Sequence, residues 1–474
     1  MDQRQAFLDA IIADPDDDAV RLIYADWLEE HGSAVERDRA RFIRLQIELE
    51  RVEDDDRRKA ILDECNQLID RHWQEWTHGF QADRTAAYYY KDTYKRGFLP
   101  YMCLDDEDLS DPTLDVLLAH EPITHFFMRR IDTFPEAVVQ WKHLPRVQQL
   151  SFSGGGDNVK ALLRSPLLTG LHVFEGSSVL DEEEVAMIAS DPRFADLRRL
   201  EIGYSDLGDS AVEMVAQSRT LSHLTAFDYS GNRTTIAALQ AVAGSPLAGR
   251  LTFIGLRQYD WGEAPRVGSR AAELLADFRC LQGIDLHGQQ IRDEGAEYLA
   301  RSSKLADLKL LQLGQNGLGL RGVTALLSSP YLTKVEELDL SNNRPGGDWI
   351  AALASADARR FRKLSLEDNQ LNGQVAVLLA DAAVLEGVRE LSLRRNPVGD
   401  QGAVALAGSA RLTRLRKLGL GSCDIGDEGA IALPDSSSLG KLEGFGGLGL
   451  SHNRYSGAAA HRLQKRFGYD PTSY

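Results

Sequence analysis

Residues 388–433 contain one phrase twice. The run VRELSLRRNPVGDQGAVALAGSARL is followed by LRKLGLGSCDIGDEGAIAL, so Val388, Leu391, Leu393 and Asn396 are answered 27 residues later by Leu415, Leu418, Leu420 and Cys423. Side chains alternate along a strand, which puts Leu391 and Leu393 on one face and Glu390, Ser392 and Arg394 on the other. Ala403, Leu406 and Ala407 follow at i, i+3 and i+4, one face of a short helix. One strand and one helix of this size cannot close a core, so each copy must bury its apolar faces against its neighbours. Stacked parallel strands lie about 4.8 Å apart, whereas packed helices need about 8–10 Å. The stack is therefore expected to curve, strands inside and helices outside.

The same frame extends back to residue 197. Its first strand position falls at Leu200, Phe227, Ile254, Ile284, Leu311, Leu338, Leu364, Leu391, Leu418 and Leu448, with spacings of 27, 27, 30, 27, 27, 26, 27, 27 and 30. Five residues beyond each lies a turn position: Ser205, Asn232, Tyr259, Gln289, Asn316, Asn343, Asn369, Asn396, Cys423 and Asn453. An asparagine there can bond backbone groups of adjacent turns in place of the ladder bonds a loop cannot make. Asn372, in the loop beside Asn369, has no such place in the frame.

The pattern L-x-x-L-x-L-x-x-N/C, with IRDEGAEYLA, VGDQGAVALA or IGDEGAIAL after it, resembles a leucine-rich repeat of the ribonuclease-inhibitor-like class. The resemblance covers 197–467 well and 98–196 loosely, where ITHFFMRRI, VQQLSFSGG and LTGLHVFEG read as irregular repeats. It implies an α/β leucine-rich-repeat solenoid: a curved horseshoe with a parallel inner sheet, outer helices and a small helical domain at the N-terminus. In GFLPYMCL, Phe98, Tyr101 and Cys103 are expected on the buried side of the first strand. Ser165-Pro166, Ser245-Pro246 and Ser329-Pro330 fall where helices should end, since proline forces its predecessor out of helical geometry.

Ahead of the repeats the composition changes. Residues 1–80 hold 21 acidic and 11 basic side chains, so they carry −10 of the chain's net −17. Four amphipathic helices are expected there: over 2–14, over AVRLIYADWLEEH with Gly32 as a left-handed cap, around Phe42 to Leu49, and over about 58–76. RLIYADWLEEHG (21–32) with RARFIRLQ (39–46) resembles the N-terminal motif of bacterial repeat-companion-domain proteins, although the loop GSAVERD is longer than that motif's. The likeness implies an architecture and no activity, with Tyr24, Trp27 and Phe42 in a shared helical core. The domain reading is 1–80 helical, 81–97 connection, 98–467 repeats (98–196 irregular, 197–467 regular) and 468–474 tail.

Composition removes several classes of function. Nucleic-acid binding requires phosphate-neutralising basic surface, which a net charge of −17 opposes. Cys65, Cys103, Cys280 and Cys423 form no CxxC pair and suggest reduced thiols. With an acidic N-terminus and no apolar run of membrane-spanning length, a cytoplasmic protein without membrane partners is expected. GxGxxG at Gly317–Gly322 aligns with neighbouring repeat turns, so it is not read as a dinucleotide fingerprint. Gly154-Gly155-Gly156 lacks the lysine of a phosphate loop, and His72 and His78 have no metal-ligand spacing. No cofactor, metal or catalytic residue is assigned.

The outward residues of the inner strands are the candidate site. Their middle column reads Glu201, Asp228, Gly255, Asp285, Gln312, Asp339, Ser365, Ser392, Gly419 and Gly449. Binding candidates on this concave face are Glu201, Asp228, Phe253, Arg257, Asp285, His287, Glu337, Asp339, Glu367 and Arg394. The acidic members are expected to project into solvent and select a basic partner by charge complementarity. The functional expectation is a non-enzymatic protein-binding or scaffold protein. The alternative is a regulator of an enzyme, inhibitor or GTPase-activator-like; partner identity and oligomeric state stay open.

Overall fold

A computed structural model describes residues 3–14, 17–52, 54–80, 94–99, 101–105, 108–129, 139–153, 156–178, 180–259, 265–343, 349–354, 361–442 and 447–467. The chain divides into two compact units: Met1–Ile202 with Arg219–His223, and Gly203–Ser218 with Leu224–Tyr474.

The first unit opens with helices α1 (Gln3–Ala13), α2 (Asp18–His31), α3 (Ala34–Leu49) and α4 (Asp55–Trp76). Local chemistry sets their starts. Asp17 accepts from Ala19 N–H, Ser33 and Glu36 form a capping box, and Asp54 accepts from Arg57 N–H, each satisfying helix N–H groups that lack an internal partner. Gly32 ends α2, but in extended geometry (φ −84°, ψ 164°) and not as the expected left-handed cap. A Cβ at Gly32 would run into the Leu28 carbonyl, so close approach explains the glycine.

Leu8, Ile11, Tyr24, Leu28, Ala40, Ile43, Ile47 and Phe98 form the helical core, with Trp27 packed against it. The expected Tyr24–Trp27–Phe42 grouping divides in two. Tyr24 and Trp27 stack at 6.1 Å, while Phe42 turns to Trp76 and Tyr94 at 5.1 and 5.2 Å. At that second cluster Arg39 is buried and pairs with Glu121 at 2.5 Å.

Five parallel strands follow: β1 (Tyr101–Leu104), β2 (His125–Arg129), β3 (Gln149–Ser153), β4 (Val173–Glu175) and β5 (Arg199–Glu201). The irregular repeats thus carry strands where the sequence places them. In β1 the buried phase is Met102 and Leu104, with Tyr101 and Cys103 half-exposed, the reverse of the expectation for those two, whereas Phe98 is buried as expected. Met102 is in register with Phe126 of β2, whose chain continues through Leu150 and Phe174 to Leu200, so the stack and not local alternation fixes the phase.

The second unit holds β6 (Ala226–Asp228), β7 (Phe253–Gly255), β8 (Gly283–Asp285), β9 (Leu310–Gln312), β10 (Glu337–Asp339), β11 (Lys363–Ser365), β12 (Glu390–Ser392), β13 (Lys417–Gly419) and β14 (Leu448–Gly449). All are parallel, and Phe227, Ile254, Ile284, Leu311, Leu338, Leu364, Leu391, Leu418 and Leu448 lie in register, as the repeat frame requires. A helix connects each described strand to the next.

Three polar devices recur between turns. The first is the asparagine ladder: Asn396 Oδ1 accepts from Asn369 and Leu371 N–H at 2.8 and 3.0 Å, and its Nδ2 donates to Leu366 and Leu393 carbonyls, both at 2.9 Å. Cys423 takes the same place, its thiol donating to Leu393 O at 3.1 Å and pushed up to about 11 by burial, so it is a structural thiol. At Tyr259 the frame shifts by one residue, for it is Gln258 that is buried and donates to Asn232 O at 2.8 Å.

The second device was not legible in the sequence. Asp293 and Asp400, from the phrases IRDEGA and VGDQGA, cap the next repeat's helix: Asp293 Oδ1 accepts from Gly319 and Gly322 N–H, and Asp400 Oδ1 from Gly426 and Gly429 N–H. GxGxxG at 317–322 is therefore a repeat turn held by a carboxylate, which leaves those N–H groups unavailable to a phosphate. The third device is serine at the helix ends. Ser329 donates to Ala300 O and Ser409 to Ala380 O, each bonding the preceding turn.

Candidate functional site

Between the buried leucines, each strand turns its remaining side chains to one sheet face. In the second unit these form three rows across the strands. The first runs Phe253, Gly283, Leu310, Glu337, Lys363, Glu390, Lys417, and the second runs Asp228, Gly255, Asp285, Gln312, Asp339, Ser365, Ser392, Gly419. Two residues beyond the second row lie Ser230, Arg257, His287, Gly314, Ser341, Glu367, Arg394 and Gly421.

The acidic side chains do not simply project into solvent. Asp285 is only 6% exposed. Arg257 donates to it from Nε at 2.9 Å, and also reaches the Gln312 side chain and, at 3.0 Å, the Tyr259 hydroxyl. Burial raises the Asp285 carboxyl and Arg257 opposes it, while that same negative charge holds Arg257 cationic. Asp339 is half-buried and accepts from Ser341 N–H at 2.8 Å. Burial opposes its ionisation, but His287 and Ser341 outweigh it and set the carboxyl below its ordinary range. Glu367 accepts from the Ser392 hydroxyl at 2.6 Å.

Glycines on this face make room for what leans across them. A Cβ at Gly255 would meet the Asp228 carboxylate, one at Gly283 the Phe253 ring, one at Gly314 the His287 ring, and one at Gly419 the stem of Arg394. Glu337 is exposed, and on the strands beyond it Glu390 forms ion pairs on both sides, 3.8 Å from Lys363 and 3.3 Å from Lys417.

Glu201 belongs to the first unit, where Arg199 Nε donates to it at 2.8 Å and lies 3.9 Å from Glu175. The same face holds a grouping the sequence reading missed. The Ser151 hydroxyl donates to Glu175 at 2.6 Å and stands 3.3 Å from His125 Nε2. The serine lies between the other two and turns its proton to Glu175, so Glu175 does not orient the histidine as a general base in the way the carboxylate of a catalytic triad does. Burial lowers the His125 pKa, which leaves a neutral imidazole in a structural network.

Tyr204 and Tyr259 were missed as site residues. Their rings stack at 6.0 Å with 24° between planes, and Tyr204 is 38% exposed. The 30-residue spacing after Ile254 and a tyrosine at the turn position are the signals in the sequence that this repeat departs from its neighbours. Among the described residues, no group of three or more His, Cys, Asp or Glu side chains could hold a metal ion. Nor is any described helix long and apolar enough to cross a membrane.

An open parallel sheet with one strand per repeat, helices between strands and an asparagine ladder at the turns defines a leucine-rich-repeat fold. Residues 388–407 and 412–433 match the family described as Leucine Rich repeat. No curated protein matches the chain significantly. Among solved structures, the yeast Rad7 and Elc1 complex matches at 15% identity over 87% of each chain, with a TM-score of 0.45. An internalin (inlF) from Listeria monocytogenes matches at 17% identity over 70% of this chain and 74% of its own, with a TM-score of 0.29.

Proposed function

We propose that this chain is a non-enzymatic protein-binding scaffold and that the sheet face of the second unit receives the partner. The observation that carries the reading is the make-up of that face. Tyr204, Phe253, Arg257 and Tyr259 stand among carboxylates on a surface ordered by ion pairs and close packing. Tyrosine and arginine dominate the energetics of protein interfaces, because they bring large, stiff contact area with polar tips. A pre-ordered face also loses little side-chain entropy on binding. No feature favours the enzyme-regulator alternative over this reading.

The test is a photo-crosslinking amino acid placed singly at Lys363 on the sheet face and at Glu30 on α2, with the full chain expressed in its native cells. A defined protein adduct from position 363 and none from position 30 is the expected result. Adducts from position 30 alone would move the binding surface to the helices.

A further inference from the structure

Tyr204 occupies a turn position with φ +56°, and its ring lies over Gly231, where any Cβ would collide with it. That glycine lets the ring reach across a whole repeat to stack on Tyr259. The Arg257 guanidinium carbon is 5.9 Å from the Tyr259 ring centre, so this aromatic surface already attracts one cation of the chain itself. Arg257 is nevertheless committed to Asp285 at 2.8 Å and to Gln312. Asp228 is different. Its carboxylate accepts from Ser230 N–H at 2.9 Å, and no cation pairs with it among the described residues.

Charge is also uneven along the face. On β6–β10 and the residues two beyond, Asp228, Asp285, Glu337 and Asp339 stand against Arg257 alone, a net of −3. On β11–β13, Lys363, Arg394 and Lys417 stand against Glu367 and Glu390, a net of +1. The tyrosine pair lies at the acidic end.

We propose that Tyr204 and Tyr259 seat a cationic side chain of a protein partner, with Asp228 as its counter-charge. This rests on the sheet-face reading above, and it adds the chemistry of the partner and its direction. The ring faces attract a lysine or arginine head, and the Asp228 carboxylate neutralises it. An anionic or purely apolar segment would leave that carboxylate uncompensated. The gradient then sets polarity: the partner's basic segment lies over β6–β10 and its less basic part over β11–β13. After burial and Tyr259, Asp228 contributes to raising the Tyr204 hydroxyl, which is consistent with its field reaching the ring.

The probe is a benzophenone-labelled hexa-arginine peptide, titrated against the full chain by fluorescence anisotropy at about 0.15 M salt, where distant surface charges are screened, and then photolysed. Tyr204→Ala with Tyr259→Ala should weaken binding about tenfold, and Tyr204→Phe with Tyr259→Phe should retain it, since ring faces attract the cation. Asp228→Asn should weaken it about threefold, as one half-buried counter-charge is lost. Glu29→Gln with Glu30→Gln on α2 should leave it unchanged, and crosslinks should fall between residues 204 and 259. If the double alanine variant loses its fold, Tyr204→Ala alone is read, because that ring is exposed. Unchanged affinity in the alanine variants, or an equal loss on neutralising α2, overturns the proposal. Crosslinks confined to β11–β13 also overturn it while the sheet-face reading stands; crosslinks confined to α1–α4 overturn both.

Discussion

Asn396 and Arg39 are both buried polar side chains, 1% and 7% exposed, set in different kinds of structure. Asn396 bonds five backbone groups of its own and neighbouring turns, and Asn343 makes the same kind of bonds 53 residues earlier, among them to Asn316 and Leu318 N–H and to Leu313 and Leu340 carbonyls. The amide is neutral, so its burial costs little once those bonds are made. Arg39 is a charge. It lies 4.7 to 6.0 Å from the rings of Trp76, Tyr94, Phe98 and Phe42, and one carboxylate, Glu121, answers it. Where repeat meets repeat, each neighbour presents the same backbone groups and one neutral side chain serves again and again. Where helix α3 meets the segment before β2, the two surfaces are unlike, and an ion pair walled by aromatic rings joins them once.

The largest test of this contrast is Glu121→Ala. It strands a buried guanidinium and should cost about 3–5 kcal/mol of unfolding free energy, read by denaturant titration. Arg39→Met with Glu121→Leu should recover most of that, because a well-packed apolar pair can replace a buried ion pair. A double variant as unstable as Glu121→Ala would show that the charges themselves are required.

Asn396→Ala should cost about 1–3 kcal/mol, through backbone groups left unpaired. A loss equal to that of Glu121→Ala would erase the distinction between neutral ladder and buried charge. Asn372 sharpens the comparison. Outside the ladder it was expected to matter little, yet it caps the helix Gly373–Ala380 by accepting from Val375 N–H at 3.1 Å. Asn372→Ala should therefore cost about 1 kcal/mol, as helix N-caps do. Thermal melts ranking it level with Asn396→Ala would mean that the ladder amide holds no more than a cap.

The smallest effect is a difference in pH response. His78 packs against His120 with ring centres 4.1 Å apart and planes tilted by 35°, and burial first, then His120, lowers its pKa from 6.5 to about 4. The unfolded chain takes up its proton below 6.5 while the folded chain does not. The contribution is thus present above 6.5 and lost as pH falls towards 4, by about 1 kcal/mol or less after solvent screening. His78→Asn, which tolerates the residue's φ of +53°, should flatten stability over that window. An unchanged slope would assign the acid sensitivity to other groups. The asparagine ladder does not titrate and should contribute no slope.

Much of the second unit was legible because its period is its structure. Leu391 and Leu418 sit in register for the same reason that they recur 27 residues apart. The strand phase of β1 was not legible, since YMCL alternates without indicating which face is inward, and only pairing of Met102 with Phe126 decides it. On the candidate face the sequence frame and the strand register agree. The rows were placed correctly, but Asp285 was expected in solvent, and the Tyr204–Tyr259 stack joins residues one repeat apart from their common neighbour, a relation that spacing does not encode.

By itself the sequence determined the repeat, the parallel sheet and the identity of the buried leucines, because side-chain alternation and a fixed period are properties of the chain alone. Tertiary structure decided which charges cancel. Arg257 and Asp285 are 28 residues apart and meet because adjacent strands set them side by side, whereas Asp228 rests over a glycine and pairs with no cation among the described residues. Charge depends on distance and burial, which stacking fixes and sequence order does not.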